Sequence, residues 1–425
     1  FVSIVNFIKQ YLTDYPNEND FWEILNKNLA AALMTETIPT TFGVEYHLAD
    51  VLDTVTVDIQ VQSGSSLVDY PRASTVAQSV AIGAELIHVG AEVFRISAPT
   101  PAGARLRIDL QQAEARVVND LAVFTVDDPQ GRINGLAPGA SGYLEAALSR
   151  SRDALSPLVS LPTGYDPGAR SRELSVEDGA FVSMMLIQND TLDQIRQDHE
   201  TDPAVLFGTP EHLQITPLAR GSYKLAWGEA EGSDFKDLVF TMEAVEAPLI
   251  LASEVQGQPQ AELLDLRSVD PDQDVEAGFE VWRDAAFDNV VGFYAIRDLQ
   301  GTIVDPDSGA VLRPGDRRYA DVALSNRLVA LDLRVADQAT TRLDQIIDGG
   351  SLLAPFLVAN GTPELLLDAD QTVRPEVYFP FIEANPDRLD HIRLLGNNRF
   401  GFEDLRGGGD LDCNDMVISV DVALL

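Results

Sequence analysis

The sequence predicts a mainly β protein: two tandem β-sandwich or jelly-roll domains preceded by a small α+β N-terminal module. Three observations carry that expectation. Apolar stripes at helical spacing mark two helices in residues 1–35. Short β-type runs separated by Gly, Pro, Asp and Asn fill the remainder. Four sequence blocks return in the same order at offsets of 170 to 178 residues, which marks a duplicated domain with loop-length changes. A chain of 425 residues is also too long for one ordinary core. The expected division is an N-terminal module at 1–80, a first sandwich at 81–250 and a second at 251–425.

Residues 1–35 read as two helices. Phe1, Ile4, Val5, Ile8, Tyr11 and Leu12 make one apolar stripe, stopped by Pro16 and the polar Asn17 to Asn19. Asp20 with Glu23 three residues later has the capping-box pattern and opens a second helix to about Met34. Asp53 to Gln62 alternates as a strand with Val55, Val57, Ile59 and Val61 inward. Ser63–Ser66 and Tyr70–Val76 read as connector. So few elements form a thin core, so the helical stripes are expected to lie against the rest of the chain or another copy.

The repeat is specific. Asn119 to Gly131 aligns with Asn289 to Gly301, and Pro138-Gly139 with Tyr143 returns as Pro314-Gly315 with Tyr319. Gly179 to Asn189 returns as Gly350 to Asn360, and Phe235 to Glu243 as Cys413 to Asp421. Tyr143–Arg150 and Tyr319–Arg327 are the expected short helices. Asn119 and Asn289 recur in both copies, which fits a structural side-chain-to-backbone bond. Val269 to Glu276 is acidic and reads as a polar interdomain turn leading into a strand from Gly278 to Trp282.

The C-terminal stretch packs Glu403, Asp404, Asp410, Asp412, Asn414 and Asp415 around Gly407 to Gly409. A strand follows, with Met416, Ile418, Val420, Val422 and Leu424 on one face and Ser419 and Asp421 on the other. Asp410, Asp412 and Asn414 sit at alternate positions, so in an extended loop their oxygens converge, and Asp415 and Glu403 can close the shell. Such oxygen sets suit a hard divalent cation, Ca2+ above all. An EF-hand would need Gly and Glu where Asp415 and Asp421 stand, and a helix where a strand follows, so the loop is not one. The plainer reading is a solvated acidic hairpin, with Glu403 accepting from a neighbouring backbone N–H.

Phe-Gly-Phe-Glu-Asp at 400–404, a glycine-rich turn, Asp-x-Asp-x-Asn-Asp and a hydrophobic strand together resemble the DUF4114 signature. The resemblance extends back to about residue 275 through Gly292-Phe-Tyr, Leu312-Arg-Pro-Gly315, Ala354 to Gly361 and His391 to Gly396. It implies a β-rich extracellular domain of secreted bacterial proteins, cyanobacterial ones among them, with calcium binding and no assigned reaction. Cys413 stands where an aromatic is usual, in the slot that Phe235 fills in the first copy, and reads as a buried small side chain.

The first copy's loop is degenerate. Trp227, Asp234 and Asp237 match Phe402, Asp412 and Asp415, but Lys236 replaces Asn414, Gly228 replaces Glu403, and Gly232 falls near Asp410. The expectation is that Lys236 supplies there the charge a metal supplies in the second copy. Titration would then find one tight-class site per chain, and two equal sites would contradict the expectation.

A net charge of −37 argues against nucleic acid and anionic membranes as partners and suits cation binding or a saline medium. Lys occurs only at 9, 27, 224 and 236, which fits salt exposure as well as GC-rich coding. One Cys excludes an intrachain disulfide, and no apolar run reaches a membrane span. No basic region with an apolar core opens the chain, so export would use a signal removed from it or lying outside it. The five His form no H-x-x-x-H pair, and G-x-S-x-G, P-loop and C-x-x-C motifs are absent. The expected function is therefore a secreted, non-enzymatic, calcium-binding structural or adhesion protein of the cell surface or matrix, able to self-associate into a polymer. Two alternatives are a calcium-dependent carbohydrate-binding module and a polysaccharide hydrolase with paired carboxylates. The lectin reading calls for exposed aromatics beside the loop, where Phe400, Phe402, Tyr378 and Phe381 are available.

Overall fold

A computed structural model describes residues 2–15, 22–35, 38–39, 45–46, 54–61, 72–79, 84–98, 104–115, 117–158, 160–165, 171–197, 204–219, 221–228, 234–246, 248–368 and 370–425. The chain divides into two compact units, Phe1–Gly83 and Ala84–Leu425. It is mainly β, with antiparallel sheets throughout and its longest helices at the N-terminal end.

In the first unit the helices are Val2–Asp14 and Trp22–Thr35, and Thr54–Val61 pairs antiparallel with Arg72–Ser79. Leu29, Leu33, Met34 and Ile38 are buried, with Ile4, Phe7, Ile8, Tyr11, Val55 and Val57 packed on them. Buried Asn26 ties the second helix to the hairpin, donating to Val57 O at 3.1 Å and Ser74 O at 2.5 Å. The connector reading therefore fails from Arg72 onward. A lone strand of alternating valines cannot satisfy its backbone, and Arg72–Ser79, small and polar in composition, supplies the missing ladder. The Asp20–Glu23 capping box and Ser63–Ser66 lie outside the described residues.

The second unit contains two sheet pairs. In its first half one sheet runs Ser171–Val176, Ala104–Ala113, Leu238–Val245, Ser222–Trp227, Leu213–Ala219 in spatial order. In its second half the order is Thr340–Asp348, Asp274–Arg283, Met416–Leu424, Arg399–Phe402, Ile392–Gly396. The facing sheets centre on Phe181–Gln188 beside Asn119–Val126, and on Leu352–Ala359 beside Val290–Ala295. Apolar side chains fill the gap between each pair, among them Phe94, Ile108 and Phe240 in the first half and Phe279, Phe293 and Phe400 in the second. Short helices at Tyr143–Arg150 and Tyr319–Ser325 cover the outer faces.

Small details agree between the halves. Tyr143 Oη donates to Gly131 O at 2.6 Å, and Tyr319 Oη to Gly301 O at 2.7 Å. Asp128 and Asp298 each accept from the N–H groups two and four residues on. Left-handed backbone recurs at Asn189 and Asn360, and at Phe235 and Cys413.

Two expectations need correction. The acidic stretch 269–276 is a tight turn inside the second half: the strand Leu264–Asp265 precedes it and the next strand opens at Asp274. The alternation of Met416–Leu424 also holds only in part. Met416, Ile418 and Val420 enter the core, but Val417 is fully buried on the opposite face with Leu158, Tyr165, Trp282 and Leu395, and Leu424 is 55% exposed. The segment carrying Leu158 and Tyr165 covers what would otherwise be the wet face of that sheet.

A candidate metal centre

The loop from Glu403 to Asp415 spans adjacent strands and is pinned by a bridge between Phe402 and Asn414. Its tight path needs left-handed backbone at Gly407, Gly408 and Gly409, and also at Leu411 and Cys413, where side chains make that conformation costly. At Gly409 the requirement is double, because a Cβ would lie 2.3 Å from Glu403 Oε1. Gly401 behaves similarly, its Cβ position falling 2.5 Å from Cys413 O.

A buried frame holds the loop from beneath. His391 is fully buried and stacked on Tyr378 with ring centroids 3.6 Å apart. Its Nδ1 lies 2.9 Å from Glu403 O and its Nε2 3.0 Å from Asp387 Oδ2. Asp387 also accepts from the Gly407 N–H at 2.8 Å. The same imidazole therefore fixes where the loop starts and, through Asp387, where it turns.

Five carboxyl groups converge. Ligand oxygens of Glu403, Asp410 and Asp412 lie within 4.8 Å of one another, and so do those of Glu403, Asp404 and Asp415. Glu403 and Asp404 are buried, Asp412 and Asp415 half-buried, and Asp410 exposed. Among the described residues none of the five forms an ion pair with Arg, Lys or His. Glu403 is 1% exposed; its Oε1 accepts from the Leu405 N–H at 3.3 Å, no N–H or O–H donor reaches its Oε2, and the Asp415 carboxyl lies within hydrogen-bond reach of it. The carboxyls respond as unpaired anions in low dielectric should. Burial, reinforced by Asp415 and Asp410, pushes Glu403 up to about 9. Burial likewise raises Asp415 to about 7 and, with Asp410 and Asp284 nearby, Asp412 to about 6. Asp404 is also raised by burial, although Asn289 Nδ2 donates to its Oδ2 at 2.6 Å.

The residues expected as one shell thus divide. Asp410 and Asp412 meet Glu403, whereas Asp415 meets Glu403 and Asp404. The Asn414 amide donates to Asp412 Oδ2 at 2.6 Å and to Ser160 O at 3.4 Å. Asp404 was missed as a ligand candidate, though it adjoins Glu403 in the same motif. Asn289 makes the expected backbone bond, accepting from Asn360 N at 3.1 Å, but its amide also reaches the centre. In the first half, Lys236 Nζ sits 2.7 Å from Asp234 Oδ2. Phe400, Phe402, Tyr378 and Phe381 are all buried, so none offers a flat face to a sugar.

Residues 347–423 match the family model of DUF4114, a domain of unknown function. That span holds the whole loop, its buried frame and both flanking strands, and begins well after residue 275. No curated protein and no solved structure matches the chain. Among the described residues no helix is long and apolar enough to cross a membrane.

Proposed function

We propose that this is a secreted, non-enzymatic structural or adhesion protein whose C-terminal loop is fixed by Ca2+. One observation carries the reading: a fully buried glutamate oxygen that no N–H or O–H donor reaches faces carboxylates that form no ion pair with Arg, Lys or His among the described residues. Burial without a cation keeps Glu403 protonated, raised to about 9, and a divalent ion displaces that proton and offsets the repulsion among the carboxylates around it. The donor set fits the ion, being entirely hard oxygen, and Gly409 leaves open the space a side chain would fill. The residues that would hold it are Glu403, Asp410 and Asp412, with Asn414 orienting Asp412. Bound there, the ion supplies charge neutralisation and stiffness; the chain's own residues hold the loop open to receive it.

The two halves of the second unit are read as copies of one domain. Their shared strand order, their paired tyrosine-to-glycine bonds and their matched left-handed residues support this. In the first copy Lys236 takes the cation's place beside Asp234. Work at the cell surface or matrix, through adhesion or assembly with further copies, suits a chain of this charge and stapling.

Scanning calorimetry in excess Ca2+ and in chelator tests the reading. The second unit should melt several degrees higher with Ca2+, by mass action on the folded state. Asp412→Asn should abolish most of that difference, while Lys236→Ala should leave it intact. Equal melting with and without Ca2+ would refute it.

A further inference from the structure

We infer that the loop is a two-cation centre, in which Glu403 bridges an outer ion on Asp410 and Asp412 to an inner ion on Asp404 and Asp415. This deepens the calcium reading and rests on it, with a pair of ions in the second half's loop in place of the single site expected from the sequence. The argument is first one of reach. Calcium holds oxygens at about 2.4 Å, so the ligands of one ion lie within about 4.8 Å of one another. The five carboxyls do not form one such group. They form two groups of three, with Glu403 the only shared member.

Burial and charge point the same way. Were one ion to sit on the outer group, Asp404 and Asp415 would remain as neighbouring anions, with Asp404 only 4% exposed. Asn289 Nδ2 donates to Asp404 at 2.6 Å and the Asp404 N–H to Asp415 at 2.8 Å, and the Asp415 carboxyl also lies within hydrogen-bond reach of Glu403 and Asp404, so the three carboxyls hold together without a metal only by sharing protons. Glu403 has a free end for the bridge, because Oε1 is engaged by Leu405 N–H on the Gly409 side while Oε2 is buried and reached by no N–H or O–H donor. Five carboxylates with two divalent ions come close to neutrality; with one ion they do not. Carboxylate-bridged pairs of cations are an established arrangement in proteins.

Asn289 then acquires a purpose. It lies on the strand edge of the opposite sheet, far away in sequence, and carries Asp404 to the inner position. The equivalent loop of the first half, with Lys236 bound to Asp234, holds no second pair of carboxylates among its described residues.

Stoichiometry decides the matter. Native mass spectrometry of the intact chain, desalted and titrated with CaCl2, should show two retained ions. Asp404→Asn and Asp410→Asn should each retain one, and Glu403→Gln should lose at least tenfold in affinity for both. A mixed Tb3+/Eu3+ loading reports proximity without any variant: Tb3+ emission should shorten in lifetime through transfer to an adjacent Eu3+. One retained ion in the wild-type chain, or two ions with no Tb3+-to-Eu3+ transfer, would overturn the inference while leaving a calcium loop in place. No retained ion would remove the calcium reading as well.

Discussion

Glu403 and Gly409 are a matched pair, and their geometry sets clear expectations at the level of single residues. Gly409 sits at φ +52°, and a Cβ there meets Glu403 Oε1 at 2.3 Å. Gly409→Ala should therefore displace the carboxylate as well as strain the backbone. Calorimetric titration should record at least a tenfold loss of Ca2+ affinity, alongside about 1–2 kcal/mol of lost stability. Gly407 is the control, because at φ +88° its Cβ would meet nothing within 4 Å. Gly407→Ala should cost similar stability and leave affinity nearly unchanged. Equal affinities in the two variants would mean that Glu403 does not serve as a ligand. Glu403→Gln tests the same residue from the opposite side. In chelator it should unfold no more easily than wild type, because a carboxyl raised to about 9 is already neutral near pH 7 and the amide has the same shape. In Ca2+ it should lose the stabilisation that the wild-type chain gains.

The strand Met416–Leu424 separates what the sequence makes legible from what it conceals. Its alternation correctly places Met416, Ile418 and Val420 in the core. Its outer face could not be read, because Val417 is buried by Leu158 and Tyr165, which lie more than two hundred residues upstream. Val417→Ala should cost about 1–3 kcal/mol, and Leu424→Ala less than about 0.5, in chemical denaturation. Equal costs would argue against the packing of that face. The candidate centre follows the same rule. Asp410, Asp412 and the glycines form a local pattern, so spacing alone reveals them. Asn289 reaches the loop only across 115 residues of chain, and although its recurrence with Asn119 marks it as structural, nothing nearby marks it as a partner of Asp404; His391 lies one hairpin away, but its two ring bonds show only in the fold. Arg72–Ser79 was hidden for a different reason: a strand assembled from Ala, Ser, Thr and Gln carries little apolar periodicity to detect.

At the scale of the whole second unit, the two halves meet across buried charge rather than a purely apolar seam. Arg172 is fully buried and donates to Asn397 Oδ1 at 2.6 Å, while Gln256 and Asn398 interlock nearby. Around them lie Asp120, Asp153, Asp193, Glu262 and Asp390, all buried. Burial raises every one of these carboxyls, Asp390 to about 7, with Asp193 raising it further and Arg393 opposing. An unfolded carboxylate titrates near about 4. The folded state therefore retains protons that the unfolded state releases, and stability falls with rising pH between those limits. What Asp390 contributes is fully present below about pH 4 and is lost as pH rises through about 7, and the other four act in the same direction. Measured at one fixed, high Ca2+ concentration, so that the proposed ion's contribution is held as constant as possible, the melting temperature should fall between pH 5 and pH 8. Asp390 faces Asp193, Glu262 and Arg393, and accepts from the Ile392 N–H at 3.2 Å. Asp390→Asn keeps an oxygen for that bond and removes the ionisation. It should flatten the slope and raise the melting temperature at pH 8, whereas at pH 5 the two proteins should melt within a degree or two of each other. A variant that melts lower than wild type at pH 8 would mean that ionised Asp390 is held by Arg393 and stabilises the junction. The halves would then be joined by ion pairs instead of shared protons, and their association would strengthen with rising pH.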